Sequence, residues 1–153
     1  MMDGSSLNAS DRSTKIVLGV DDAAENLFLL QSAVKAGGYT FMGARSGAEC
    51  LSLLRRVVPK LVLLDIEMPV MDGFETCRRI RAVPELRQVP IAFLTARKTR
   101  EDVRMCLAAG GNDFIIKPFD MVKLLDRIKY WTARRVAPTL PASPGNSGET
   151  SGD

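Results

Sequence analysis

Leu61-Val62-Leu63-Leu64-Asp65 reads as an unbroken apolar run closed by a carboxylate. A strand with one face in water alternates apolar and polar side chains. An unbroken run of this length therefore points to a strand covered on both faces, as in a parallel sheet. Ile16-Val17-Leu18 and Ile91-Ala92-Phe93-Leu94 repeat the pattern on either side of it. Working outward, strands are expected at Lys15–Val20, Tyr39–Gly43, Lys60–Leu64, Pro90–Thr95 and Asn112–Ile116.

Amphipathic helical stretches separate these runs. Leu27, Leu30 and Val34 share a face of the first, which ends at Gly37-Gly38. Ser46-Gly47-Ala48-Glu49 has the spacing of a capping box, and Ala48, Leu51 and Leu54 follow at helical intervals. Phe74, Cys77 and Ile80 stripe the third helix, and Val103 and Leu107 the fourth, which stops at Gly110. Asp120 is placed to cap a fifth, striped by Met121, Leu124, Leu125 and Ile128. Strict alternation of strand and helix predicts an α/β fold: a three-layer αβα sandwich around a five-stranded parallel sheet.

With 153 residues the chain has room for one domain of ordinary size. The expected organisation is a flexible leader at 1–14, the domain at 15–135, and a disordered Pro/Ser/Gly-rich tail at 136–153, too poor in apolar residues to offset its ordering entropy. No apolar run approaches the roughly 20 residues a bilayer requires, so a cytoplasmic protein is expected. Cys50, Cys77 and Cys106 lie far apart within helical patterns and read as core thiols. The chain contains no histidine. That excludes Ser-His-Asp and Cys-His catalysis, His-ligated zinc, and a phosphohistidine donor role.

In a parallel α/β sheet, ligands bind beyond the carboxyl ends of the strands. Asp21 and Asp22 follow the first strand, Asp65 the third and Lys117 the fifth, while Thr95 closes the fourth. A single Asp at a strand end is as readily a turn former or helix cap. The joint arrival of three carboxylates, a hydroxyl and an amine at one edge carries the inference. Clustered carboxylates repel and call for a hard, oxygen-coordinated cation such as Mg²⁺. One carboxylate can then act as nucleophile toward phosphorus, with donor groups stabilising the phosphoryl oxygens.

Val20-Asp21-Asp22, Leu63-Leu64-Asp65-Ile66-Glu67-Met68-Pro69-Val70-Met71-Asp72-Gly73, Leu94-Thr95-Ala96 and Lys117-Pro118-Phe119 resemble the signature segments of two-component response-regulator receiver domains. The resemblance spans the expected domain, with the segments in the family's order. It implies the flavodoxin-like (βα)5 fold and a stand-alone, chemotaxis-type receiver. It further implies that Asp65 is the phosphoacceptor and that Asp22, Asp65 and the backbone carbonyl of Glu67 hold Mg²⁺, with Mn²⁺ a workable substitute. Asp21 would act on the metal through water. Thr95 would bind the phosphoryl group and reorient, Lys117 would pair with it, and Lys117–Pro118 would be cis. The family's second switch position holds Phe114, for which plain core packing is an equal reading. Asp72 reads as a helix cap, and Met68–Gly73 as a turn in which Pro69 fixes φ. Arg97 and Glu67 would flank the site, either bridged to one another or as two solvated charges.

The function so implied is a signalling switch rather than an enzyme. It would be phosphorylated by a histidine kinase or histidine phosphotransfer protein, and would signal by docking or by onward phosphorelay. With no DNA-binding domain expected, output would pass through the surface of helix 4, strand 5 and helix 5. Arg97, Lys98, Arg100, Arg104, Lys123, Arg127 and Lys129 give that surface a basic character suited to an acidic partner or an anionic nucleotide. Two competing readings are a haloacid-dehalogenase-like phosphohydrolase, suggested by Asp65-Ile66-Glu67, and a receiver-like module that binds without phosphorylation. The first lacks the second Asp expected at position 67, and its late acidic pair is replaced by the early Asp21-Asp22. The second lacks its usual motive, because every acceptor-site group is present.

Overall fold

The continuous apolar runs form strands buried at every position: β1 (Ile16–Val20), β3 (Leu61–Asp65) and β4 (Ile91–Thr95). β2 (Thr40–Ala44) and β5 (Asp113–Ile116) complete a sheet of order β2-β1-β3-β4-β5, parallel throughout. The computed structural model describes residues 15–96 and 99–133. The leader at 1–14, the tail at 136–153 and the calls on Arg97 and Lys98 fall outside those residues. Each strand lies within one residue of its expected limits, and the shift in β3 places Asp65 inside the strand as its last residue.

Helices cover both faces. α1 (Ala24–Ala36) and α5 (Met121–Ala133) bury Leu30, Ala33, Val34, Leu124 and Ile128 against Val17, Leu61, Leu63, Ala92 and Leu94. α2 (Gly47–Leu53), α3 (Gly73–Arg81) and α4 (Arg100–Ala108) pack Cys50, Phe74, Cys77, Ile80 and Cys106 on the opposite side chains of the strands, Leu18, Val62, Leu64, Ile91 and Phe93. This is the expected three-layer sandwich. A fully buried Leu or Ile stabilises by roughly 1.5–3 kcal/mol, against about 0–1 for an exposed ion pair, so the two apolar layers hold the fold.

Three helix faces differ from expectation. Ala48 is exposed and α2 buries Gly47 and Cys50 instead; Leu107 is 59% exposed while its neighbour Cys106 is buried; Met121 is 38% exposed. In the first two cases a stripe at helical spacing has an adjacent stripe that fits the sequence nearly as well; in α5 the expected Leu124 and Ile128 are buried and Met121, at the helix start, is not. At the start of α2, Glu49 N–H donates to the Ser46 hydroxyl at 3.0 Å, but the Glu49 carboxylate takes the N–H of Arg45 rather than that of Ser46. Asp72 and Asp120 cap α3 and α5 as expected, accepting from Glu75 N–H and from Val122 and Lys123 N–H.

Pro69 begins the turn after β3, but the left-handed residue there is Val70, at φ 73° and fully exposed. Gly73 relieves a steric constraint at the entry to the next helix. α3 starts so close to the end of β3 that a Cβ at Gly73 would overlap the carbonyl oxygen of Asp65 and sit 2.8 Å from Ile66 Cα. The pair is closed by Gly73 N–H donating to Ile66 O at 2.7 Å.

Candidate functional site

Because the strands are parallel and in register, their last residues meet at one edge. Asp65 pairs with Leu94 across β3 and β4, and Thr95 with Ile116 across β4 and β5, so Lys117 is the next residue out. Asp21 leaves β1 with its N–H bonded to Ala44 O at the end of β2. Asp21, Asp65 and Thr95 are all buried, whereas Asp22 is exposed. Together with Asn26, Glu67 and Lys117 they line a cleft of ≈ 150 Å³.

Lys117 Nζ sits 3.0 Å from Asp65 Oδ1 and 3.0 Å from Asp21 Oδ2. Asp21 is also held by its own loop: Oδ1 accepts from Ala23 N–H at 3.0 Å, and Oδ2 accepts from the Asn26 amide at 3.2 Å. Burial raises the Asp65 pKa above the ordinary carboxylate range. The hydrogen bond from Lys117 opposes that shift, and the charges of Asp21 and Asp22 add to it. For Lys117 burial would lower the pKa, but its hydrogen bonds to Asp65 and Asp21 outweigh this and leave it raised. The amine therefore stays charged at neutral pH.

Asp21, Asp22 and Asp65 each offer a carboxylate oxygen within 4.8 Å of the others. Three carboxylates and one ammonium leave about two negative charges uncompensated. An all-oxygen donor set with that deficit fits a hard divalent cation.

The sequence profile of the response regulator receiver domain matches residues 17–129. The chain belongs to that family. It is 37% identical over 116 residues to the response regulator PleD of Caulobacter vibrioides, covering 76% of this chain and 26% of PleD. The chain thus spans about a quarter of that relative's length. To the polar-differentiation response regulator DivK of Brucella ovis it is 33% identical over 118 residues, covering 77% of this chain and 96% of DivK. The solved receiver domain of the sensor histidine kinase PA1611 from Pseudomonas aeruginosa superposes with a TM-score of 0.72 at 31% identity, covering 78% of this chain and 98% of that one. That structure has a magnesium ion coordinated in its active-site cleft.

In this receiver the five strand-end groups expected from sequence, Asp21, Asp22, Asp65, Thr95 and Lys117, come together at one cleft, joined by Glu67. Lys117–Pro118 is cis, as the resemblance implied. Phe114 does not line the cleft; it is half-buried against the core layer that holds Phe93 and Cys106. The Arg97–Glu67 pairing lies outside the described residues. Two cations expected on the α4–β5–α5 face are engaged within the chain: Arg104 with Glu101 at 3.3 Å, and Arg127 with Asp113. The basic surface of the receiver is narrower than a count of charges suggests.

Two residues with a hand in the site were not read from sequence. Asn26 reaches back from the first turn of α1 to Asp21. Its signal is an amide just inside a helix whose own N-cap, Ala23, offers no side-chain acceptor. Arg45 donates from Nη2 to the backbone carbonyl of Asp22 at 2.9 Å, a contact across 23 positions that only the β2-β1 neighbourhood creates.

Proposed function

We propose that this receiver accepts a phosphoryl group on Asp65 from the phosphohistidine of a histidine kinase or histidine phosphotransfer protein, and passes the signal on by docking or relay. The observation that carries the reading is Lys117 shared between the buried carboxylates of Asp65 and Asp21 at equal distances. A lysine so placed holds the nucleophile ionised before transfer and stays beside the site to meet the phosphoryl charge after it.

In the transfer, a carboxylate oxygen of Asp65 bonds to phosphorus as the phosphorus–nitrogen bond of the donor breaks, and the bonding electron pair leaves with the imidazole nitrogen. Asp22, Asp65 and the carbonyl of Glu67 would hold Mg²⁺, which when bound neutralises charge on the carboxylates and the phosphoryl oxygens. Lys117 keeps its proton throughout. Thr95, buried at the end of β4, supplies a hydroxyl for a phosphoryl oxygen, and its movement toward the phosphate would bias the loop into α4 between two states. Phe114 has the position of the second switch element and would follow through its packing. The downstream target remains an acidic surface docking on the α4–β5–α5 face, through Arg100, Lys123 and Lys129. Glu67-Met68 stands where the phosphohydrolase motif has a second Asp, and with membership in the receiver family over 17–129 this argues against the phosphohydrolase reading.

The test is incorporation of phosphate from acetyl phosphate in Mg²⁺. The wild type should label and Asp65→Asn should not; undiminished labelling of Asp65→Asn would assign the acceptor elsewhere.

A further inference from the structure

The exposed acid of the cluster, Asp22, is held by very little. Among the described residues its only hydrogen bond is the one its backbone carbonyl accepts from Arg45 Nη2 at 2.9 Å. α1 begins directly afterwards, and its first turn binds the neighbouring Asp21 carboxylate through Ala23 N–H and the Asn26 amide, but among the described residues it makes no hydrogen bond to Asp22. The hold on Asp22 itself comes from the neighbouring strand. At the end of β2, Ala44 O takes Asp21 N–H at 3.1 Å, and the next residue, Arg45, takes Asp22 O. The last residue of β2 and the one after it thereby hold the two residues that follow β1.

Arg45 is itself fixed. Its N–H donates to Glu49 Oε1 at 2.8 Å, and Glu49 N–H is bonded to the Ser46 hydroxyl. The start of α2, Arg45 and the backbone of Asp22 form a continuous chain of bonds that ends at the metal-binding edge. We propose that Arg45 is a positioning residue for the metal site: it does not touch the cation, but sets the backbone from which the Asp22 carboxylate reaches it. This rests on the reading of Asp22 as a metal ligand.

Coulomb's law and the clamp give opposite signs, which makes the inference sharp. A guanidinium near a cation site repels the cation, so on charge alone its removal would tighten Mg²⁺ binding, and the effect would fade in high salt. If the clamp dominates, removal loosens binding at any salt, because a ligand with an unfixed backbone must be ordered each time the metal binds. Removing groups that orient metal ligands typically costs about 10- to 100-fold in affinity. A backbone anchor belongs at the lower end of that range.

The experiment is a titration of the full chain with Mg²⁺ alone, read by amide chemical shifts at the cleft, for wild type, Arg45→Met and Arg45→Lys. Arg45→Met is expected to bind Mg²⁺ about tenfold more weakly at both low and high salt, with amide shifts elsewhere unchanged. Arg45→Lys, which keeps the charge and one donor, should fall between. Affinity in Arg45→Met equal to or tighter than wild type would overturn the proposal. So would equal weakening in Arg45→Lys and Arg45→Met accompanied by general loss of amide dispersion, since that would mark a folding role. A wild type that binds no Mg²⁺ would instead overturn the metal reading beneath it.

Discussion

Lys117 Nζ stands 3.0 Å from Asp65 Oδ1 while making an equal contact with Asp21, so one ammonium is divided between two buried carboxylates. That division leaves Asp65 incompletely compensated, in keeping with its raised pKa.

The linkage gives a stability prediction. A group whose pKa is raised by folding contributes stability that is complete below its unfolded pKa and is lost as pH rises through the folded value. Ionised Asp65 therefore costs stability at neutral pH. Without divalent cation, Asp65→Asn should melt a few degrees above wild type at pH 7, with the gap closing as pH falls below the carboxylate range. Thermal melts in chelator across pH test this; an equal or lower melting temperature at pH 7 would show that Lys117 neutralises Asp65 fully.

Lys117→Met should act in the other direction. It leaves Asp21 and Asp65 buried without their cation, and removal of one partner from a buried pair is strongly destabilising, about 3–5 kcal/mol for full burial. Lys117 retains some exposure, so a loss of about 1–3 kcal/mol is expected. Denaturant titration measures it. Mg²⁺ should recover part of the loss, because it neutralises the same charges.

Gly73→Ala places a methyl against the backbone of Asp65 and Ile66, where neither neighbour is a flexible side chain. Overpacking of this kind costs on the order of 1–3 kcal/mol, and here the displaced atom belongs to the acceptor residue. The variant should lose both stability and the rate of phosphate incorporation. A full loss of rate with unchanged stability would point to a role in the chemistry beyond packing.

Val70 should behave oppositely. A β-branched residue in the left-handed region costs roughly 1–2 kcal/mol, and this one buries nothing in return. Val70→Asn, which tolerates that region, is expected to raise stability by about 1 kcal/mol in denaturant titration.

Burial pushes the Cys50 thiol up to about 12 and the Cys77 thiol up to about 11, with Cys77 adding to the shift of Cys50. With thiolate scarce and access closed, modification of the native protein by a thiol reagent should be limited by opening of the structure. Rapid reaction of Cys50 or Cys77 at pH 7 without denaturant would show that the α2–α3 layer is looser than described.

Much of this was legible in the sequence, for physical reasons that also mark where reading stops. β1, β3 and β4 announced themselves because burial on both faces leaves no polar position, and the strand-end acids and Thr95 were visible because each terminates such a run, while Lys117 follows the shorter β5. Helix faces were harder: Leu107 fits a stripe, yet Cys106 is the residue turned inward, and Met121 stays exposed while Leu124 and Ile128 of its stripe are buried. Val70 could not have been foreseen as left-handed, since local turn chemistry favours Gly or Asn at such a position. Arg45 was missed because its partner is defined by which strands lie side by side, and Asn26 because its partner five residues back depends on how the chain turns from β1 into α1.

The central claim is that Asp65 carries the phosphoryl group. The most direct measurement is reduction of the acetyl-phosphate-treated, Mg²⁺-loaded protein with borohydride, which converts an aspartyl phosphate to homoserine, followed by peptide sequencing in the mass spectrometer. Homoserine at position 65 and nowhere else is the expected result. Homoserine at Asp21 or Asp22, or none anywhere in a protein that has incorporated phosphate, would contradict it.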